Sequence, residues 1–242
     1  MVHFKDNWLI LVGYPLDQDF SPERCDQLVR VTSERFRPEY LWFIGPEIPP
    51  SLSRSPTERE SDEYFVLDIE STKVKPSLHR IAQKASGELD VETAHSLSKE
   101  HEALIKEFFR REKPSPRIRE LYLAMPEYLA YSKSSCVLNA RNKRGRLCAF
   151  YVVDLAAGGF TTYVLGTYSK KNNVPHASDL LFLEMIELTR EHGKNIIHLG
   201  LGVNEGIRRF KKKWGGVVFL PYAFCLYEPS RREGMDSLLQ KL

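Results

Sequence analysis

The stretch "GVNEGIRRFKKKWGG" (202–216) lies between two apolar runs, "NIIHLGLG" (195–202) and "VVFLPYAFCLY" (217–227). Five of the six residues at 208–213 are Lys or Arg; the exception is Phe210, and Trp214 follows directly. The flanking runs read as strands. Ile207, Phe210 and Trp214 stand at i, i+3 and i+7, so they read as the inward side of a short helical segment between those strands. Arg208 and Lys212 share one outward face, and Arg209 and Lys213 share another.

That charge is local. The chain has 35 Lys and Arg against 32 Asp and Glu, a formal net charge of +3. Such a balance does not support a general nucleic-acid footprint, DNA included, and confines anion binding to particular places. A length of 242 residues, 42% hydrophobic and 28% charged, fits a soluble globular protein with a sizeable core. Cys25, Cys136, Cys148 and Cys225 form no CxxC pair and mostly sit in apolar surroundings. They read as buried, reduced thiols rather than a zinc or redox site, and no metal site is expected. The start, "MVHFKDNWLILVGYP", does not read as a signal peptide, and no run approaches the ~20 apolar residues of a membrane span. A cytoplasmic location is expected.

Other segments alternate between strand and helix. "NWLILVGYP" (7–15) reads as a buried strand. "SPERCDQLVRVTSERF" (21–36) reads as a helix with Ser21 as N-cap and Leu28, Val31 and Phe36 as its apolar stripe. "EYLWFIGPEIPP" is a further strand, and residues 51–61 read as an exposed loop. "EYFVLDIE" resumes strand character, "KPSLHRIAQKAS" reads as a solvated amphipathic helix, and "GELDVETAHSL" contains a short strand. Ser98 caps a helix with Leu104, Ile105, Phe108 and Phe109 as its stripe. "IRELYLAMPEYLAYS" is helical, with an interruption expected at Pro126. "SCVLNARN", "LCAFYVVDLA" and "FTTYVLGTYS" form a meander, followed by a helix over "DLLFLEMIELTREHGK" that ends at Gly193. The order strand, turn, helix, strand occurs at 7–46 and again at 160–202, which a duplicated α/β unit or two common βαβ elements would equally produce.

Antiparallel strands, a long helix, a strand and a final helix–strand exit resemble the GNAT acyltransferase fold. "PHASDLLFLEMIELTREHGKNIIHLGLG" and "EGIRRFKKKWGG" resemble in particular the FemAB-like branch, which includes the peptidoglycan aminoacyltransferases. The signature is carried by Gly206, Phe210, Lys211, Trp214 and Gly215. The resemblance implies an α+β fold: a mixed, largely antiparallel sheet flanked by helices, built from an abbreviated first unit (1–95) and a complete second one (96–242). It implies acyl or aminoacyl transfer to a small-molecule or peptide amine. The co-substrate is acyl-CoA or aminoacyl-tRNA, with no tightly bound cofactor. The loop that binds pyrophosphate in acetyl-CoA enzymes is represented here by "SKKNNVPHASDLL", which contains no glycine.

Acyl transfer to an amine requires positioning, stabilisation of the oxyanion and a protonated leaving group. The resemblance puts Lys211 beside the reacting groups, where its cation would stabilise the oxyanion. Glu205 would orient the amine or steady the basic segment. Ser178 or Asp179 reads as the cap of the long helix. His176, Ser178 and Asp179 mark a helix start whose N–H groups suit a donor phosphate or carbonyl, with Arg208 beside them. His198 reads as a hydrogen-bonded core histidine or a base. Tyr163, Tyr168 and Tyr222 are unranked proton donors. A GNAT-derived binding or regulatory module without catalysis is the competing expectation.

Overall fold

In the computed structural model, residues 1–15, 19–53 and 56–228 are described, and they form ten strands and seven helices. β1 (Val2–Lys5) and β2 (Trp8–Val12) make a hairpin. Its turn residues, Asp6 and Asn7, both have positive φ (47° and 67°), which matches strand twist in a two-residue turn and is tolerated by Asp and Asn. β1 precedes the first strand expected from the sequence, which starts at Asn7, and its four residues are all exposed.

α1 (Pro22–Phe36) starts as expected, with Ser21 Oγ accepting from the Arg24 N–H. Its buried residues are Cys25, Asp26, Val29 and Thr32, whereas Leu28 and Val31 are 41% and 55% exposed. The inward stripe is therefore offset from the expected one. Asp26 is held inside by the Ser51 N–H (2.7 Å) and by Arg30 (2.8 Å). β3 (Tyr40–Gly45) runs parallel to β2, completing a βαβ crossover. α2 (Pro50–Ser53) and β4 (Glu58–Asp68) follow. Residues 51–61 are thus not simply a loop: Leu52 is buried, and the Thr57 N–H bonds to the Leu226 carbonyl. Residues 54 and 55 lie outside the described residues.

α3 (Pro76–Ser86), β5 (Leu89–Ala94), α4 (Lys99–Glu112) and α5 (Pro116–Tyr131) come next. α5 continues through Pro126, contrary to the expected break, because Tyr122, Met125 and Leu129 bury one face on either side of the proline. β6 (Ser135–Asn142), β7 (Leu147–Asp154), β8 (Phe160–Tyr168), α6 (Ala177–Glu191), β9 (Ile196–Leu201), α7 (Glu205–Lys213) and β10 (Val217–Tyr227) occur where the sequence reading expects them. No helix among the described residues is long and apolar enough to cross a membrane.

The chain divides into two compact units. Among the described residues, the first contains those of Met1–Tyr64, Leu201–Val203 and 218–228. Here β1, β2, β3 and β10 are neighbours in that order, and Leu9, Leu11, Leu41, Phe43 and Cys225 are fully buried. The second contains Phe65–Gly200 and Asn204–Val217. Its strands run β9, β8, β7, β6, β5, antiparallel except for β8 and β9. α3 and α6 contribute to one core cluster with the sheet, and α4 and α5 to another. The division falls at Tyr64 rather than residue 95. β5 pairs with β6 along its whole length and α3 packs on α6, so residues 65–95 join the second unit. Each unit contains one parallel crossover, β2–α1–β3 or β8–α6–β9. Cys25 and Cys225 lie in the first core, Cys136 and Cys148 in the second, and all four are free thiols.

His101 on α4 is 2% exposed. Its Nδ1 accepts from the Ser98 N–H (3.0 Å), so Nε2 carries the proton and donates to Asn139 Oδ1 (2.8 Å). Burial holds its pKa below 6.5, and burial does the same to His198. Both groups therefore stabilise the fold fully above pH 6.5, and that contribution falls as acid protonates the unfolded chain but not the folded one. Going from about pH 7.5 to about pH 5.5 should lower the stability measured by urea unfolding. His101→Gln should remove its share of that dependence.

Candidate functional site

The functional segment is built at the C-terminal end of β9. Asn204 opens α7, its Oδ1 accepting from the Ile207 N–H (2.9 Å). Two glycines close the helix. Gly215 adopts φ 92°, and a Cβ there would stand 2.3 Å from Thr72 Cγ2, so both conformation and space require glycine. The Gly216 N–H then bonds to the Lys211 carbonyl (2.9 Å), ending the turn.

The inward residues of α7 differ from those expected. Ile207 is 36% exposed, while Lys211 is 4% exposed and Trp214 1%. Lys211 Nζ lies 5.6 Å from the centre of the Phe65 ring, a cation over an aromatic face. His198 feels the same cation: burial is the main cause of its lowered pKa, and the Lys211 charge adds to it. A buried ammonium and a neutral imidazole are thus brought into electrostatic reach.

Asp179, at the start of α6, is 5% exposed. Its Oδ1 accepts from Lys213 Nζ (2.6 Å) and Trp214 Nε1 (2.9 Å), and its Oδ2 faces His176 Nδ1 (3.0 Å). It does not cap α6. The cap position is His176, in left-handed conformation (φ 66°) with no side-chain cap bond. Ser178 does not cap either; its carbonyl accepts from Tyr151 Oη (2.9 Å). Lys213, expected to be solvated, is therefore the ion partner of a buried carboxylate. Glu205 stays apart from Lys211: its side chain is 75% exposed, and its ion pair is Arg209 at 3.9 Å. Arg208 is half-buried on α7.

β8 and β9 pair only where 160–162 meet 196–198; β8 then runs on to Tyr168. Tyr163 is the first β8 residue past that pairing. Its ring meets Tyr151 edge-on at 4.9 Å, and burial raises both phenols well above 10, so both stay protonated. Among the described residues the Tyr163 hydroxyl makes no hydrogen bond. Space for the ring depends on Gly166, where a Cβ would stand 2.8 Å from Tyr163 Oη and 2.3 Å from Tyr151 Cδ1. Tyr168 instead carries Arg111 over its ring at 4.5 Å, and Tyr222 meets Tyr64 in the first unit at 5.4 Å. Tyr163 is therefore the phenol of these three whose hydroxyl is placed to donate a hydrogen bond to a ligand. The glycine in "FTTYVLGTY" is the only sequence signal for it.

Removing the Asp179 charge should be costly, because a buried hydrogen-bonded carboxylate holds both helices. Asp179→Asn should lower stability by on the order of 2 kcal/mol in urea unfolding, while Ser178→Ala should change it by less than about 0.5 kcal/mol. Equal effects would restore the capping account.

No protein-family profile and no curated protein matches the chain in sequence. Solved structures match it over nearly its whole length. A tandem GNAT protein from the clavulanic acid biosynthesis pathway superposes with a TM-score of 0.56 at 13% identity, covering 92% of this chain and 75% of that one. FemX gives 0.58 at 11% identity, over 93% and 82% of the two chains. The C-terminal domain of a putative lysylphosphatidylglycerol synthetase from Agrobacterium fabrum gives 0.60 at 16% identity, over 93% and 79%. At these identities the likeness is one of fold, and the chain has the GNAT-type α+β fold that it shares with FemX and with that synthetase domain.

Proposed function

We propose that the protein transfers an acyl or aminoacyl group to an amine by direct attack of the acceptor on a bound donor. The observation that carries this reading is the burial of Lys211. Lys211 is 4% exposed and lies over the Phe65 ring, and a cation held in a site sheltered from water stabilises a developing oxyanion strongly. In this reading the amine nitrogen bonds to the donor carbonyl carbon, and Lys211 stabilises the oxygen that takes up negative charge. His198, kept neutral, accepts the amine proton. As the carbonyl–donor bond breaks, Tyr163 donates a hydrogen bond to the departing thiolate sulfur or ribose oxygen, and the proton taken by His198 passes to that atom. The half-buried Arg208 and the α6 start at His176 would bind the donor, and Glu205 would attract the acceptor amine from the surface.

A cysteine nucleophile is disfavoured, since all four thiols are buried and burial raises their pKa values, those of Cys136 and Cys225 to about 11. The parallel crossover in each unit supports descent from a duplicated α/β element. Both donors, acyl-CoA and aminoacyl-tRNA, belong in the assay, with small amines and peptides as acceptors.

One observation favours a second reading, a GNAT-derived binding or regulatory module. Phe182 and Trp214 stack at 4.9 Å, are 2% and 1% exposed, and fill the contact between α6 and α7. The test is a panel of CoA thioesters and charged tRNAs, read by thermal shift and by turnover. Lys211→Met should lower kcat by about 10²–10³ in protein that a circular-dichroism melt shows to be folded. Donor binding without turnover would establish the module. Full activity in Lys211→Met would remove Lys211 from the chemistry.

A further inference from the structure

The second unit carries a groove of about 420 Å³ formed by the α3–β5 turn, the β6–β7 turn and the loop after β8. Lys143, Arg144, Arg146 and Lys171 bring four cations to it, against the single carboxylate of Glu88. The neighbouring acids are already occupied: Arg141 takes Glu92 (2.5 Å) and Glu100 (2.6 Å), and Lys143 takes Asp90 (2.5 Å). Arg144, Arg146 and Lys171 have no carboxylate partner among the described residues.

The groove is also preorganised. Asn142 Oδ1 accepts from the backbone N–H groups of Arg144 (3.0 Å) and Arg146 (3.1 Å), with Gly145 at φ 73° between them. Across from it, the Asn172 N–H bonds to Ser169 Oγ (3.0 Å), and Glu107 accepts from Ser169 Oγ (2.9 Å) and the Lys170 N–H (2.5 Å). Asn172 Nδ2 donates to the Leu147 carbonyl (3.3 Å), tying the two basic loops together. A backbone held in this way reduces the ordering cost of binding an anion. No aromatic ring lines the groove, so it has no platform on which a base could stack.

We propose that this groove binds the phosphate groups of a ligand and recognises the phosphates rather than a base. Arg144 and Arg146 are suited to the forked contacts that guanidinium groups make with phosphate oxygens, with Lys171 as a point charge opposite. The phosphates come either from a small diphosphate-bearing molecule or from a duplex RNA backbone, and two probes separate these sources. Inorganic pyrophosphate is titrated by calorimetry, and a short labelled RNA duplex by fluorescence anisotropy, each at low and moderate salt.

Wild type should bind at least one probe, more weakly as salt rises. Arg144→Glu and Arg146→Glu should each weaken that binding by about tenfold or more. Lys5→Glu on β1, with the same change in charge, should leave it within about twofold. Thermal melts by circular dichroism check that the variants remain folded, which the backbone anchoring of both loops predicts. Pyrophosphate binding alone identifies the small ligand, and RNA binding alone identifies the duplex backbone. The groove is not a phosphate site if neither probe binds, or if Lys5→Glu weakens binding as much as Arg144→Glu.

Discussion

Burying a carboxylate costs several kcal/mol unless its oxygens are matched, and Asp179 is matched by donors from two helices. Lys213 and Trp214 come from the end of α7 and His176 from the start of α6. The two sequence segments are 34 and 35 residues apart at these contacts, so the bonds fix a long-range geometry rather than a local turn. With the end of α7 pinned in this way, its rotation about its own axis is set. Phe210 meets Phe182, Trp214 stacks on Phe182, and Lys211 is turned inward over Phe65. The double glycine then releases the chain into β10.

The basic run therefore separates into residues with different tasks. Lys213 neutralises a buried acid, Lys211 is sheltered beside a neutral histidine, and Arg209 and Lys212 remain at the surface. Helix periodicity alone cannot make that separation, because it assigns the inward face to apolar residues. At Ile207 this fails: it lies in the first turn of α7, about two turns before the Lys213–Trp214 end that Asp179 draws in, and stays 36% exposed, whereas Lys211 is 4% exposed.

Elements with a strong local period were legible. The meander β6–β8 follows alternation, α6 runs to the glycine stop after it, and Ser21 and Ser98 cap the helices they precede. What escaped depended on tertiary contact. β1 has no fully buried side chain, so its pairing with β2 and the stacking of Phe4 on Phe36 define it. α1 turns its Cys25–Val29 side inward because Asp26 reaches Ser51, a bond that spans 25 residues. α5 tolerates Pro126 because its burial spans the proline. At the site, Lys211 was visible through a motif, whereas the Asp179 cluster and the isolation of the Tyr163 hydroxyl appear only once the strands and helices are assembled.

The distribution of thiols has a practical consequence. Each unit holds two free cysteines inside its own core and, among the described residues, none at its surface. A buried, protonated thiol is inert to alkylating reagents, and it becomes reactive only when the packing around it opens. Cys25 and Cys225 therefore report the opening of the first unit, and Cys136 and Cys148 that of the second, so the rate at which each pair is alkylated measures the local stability of each half separately in the unmodified chain.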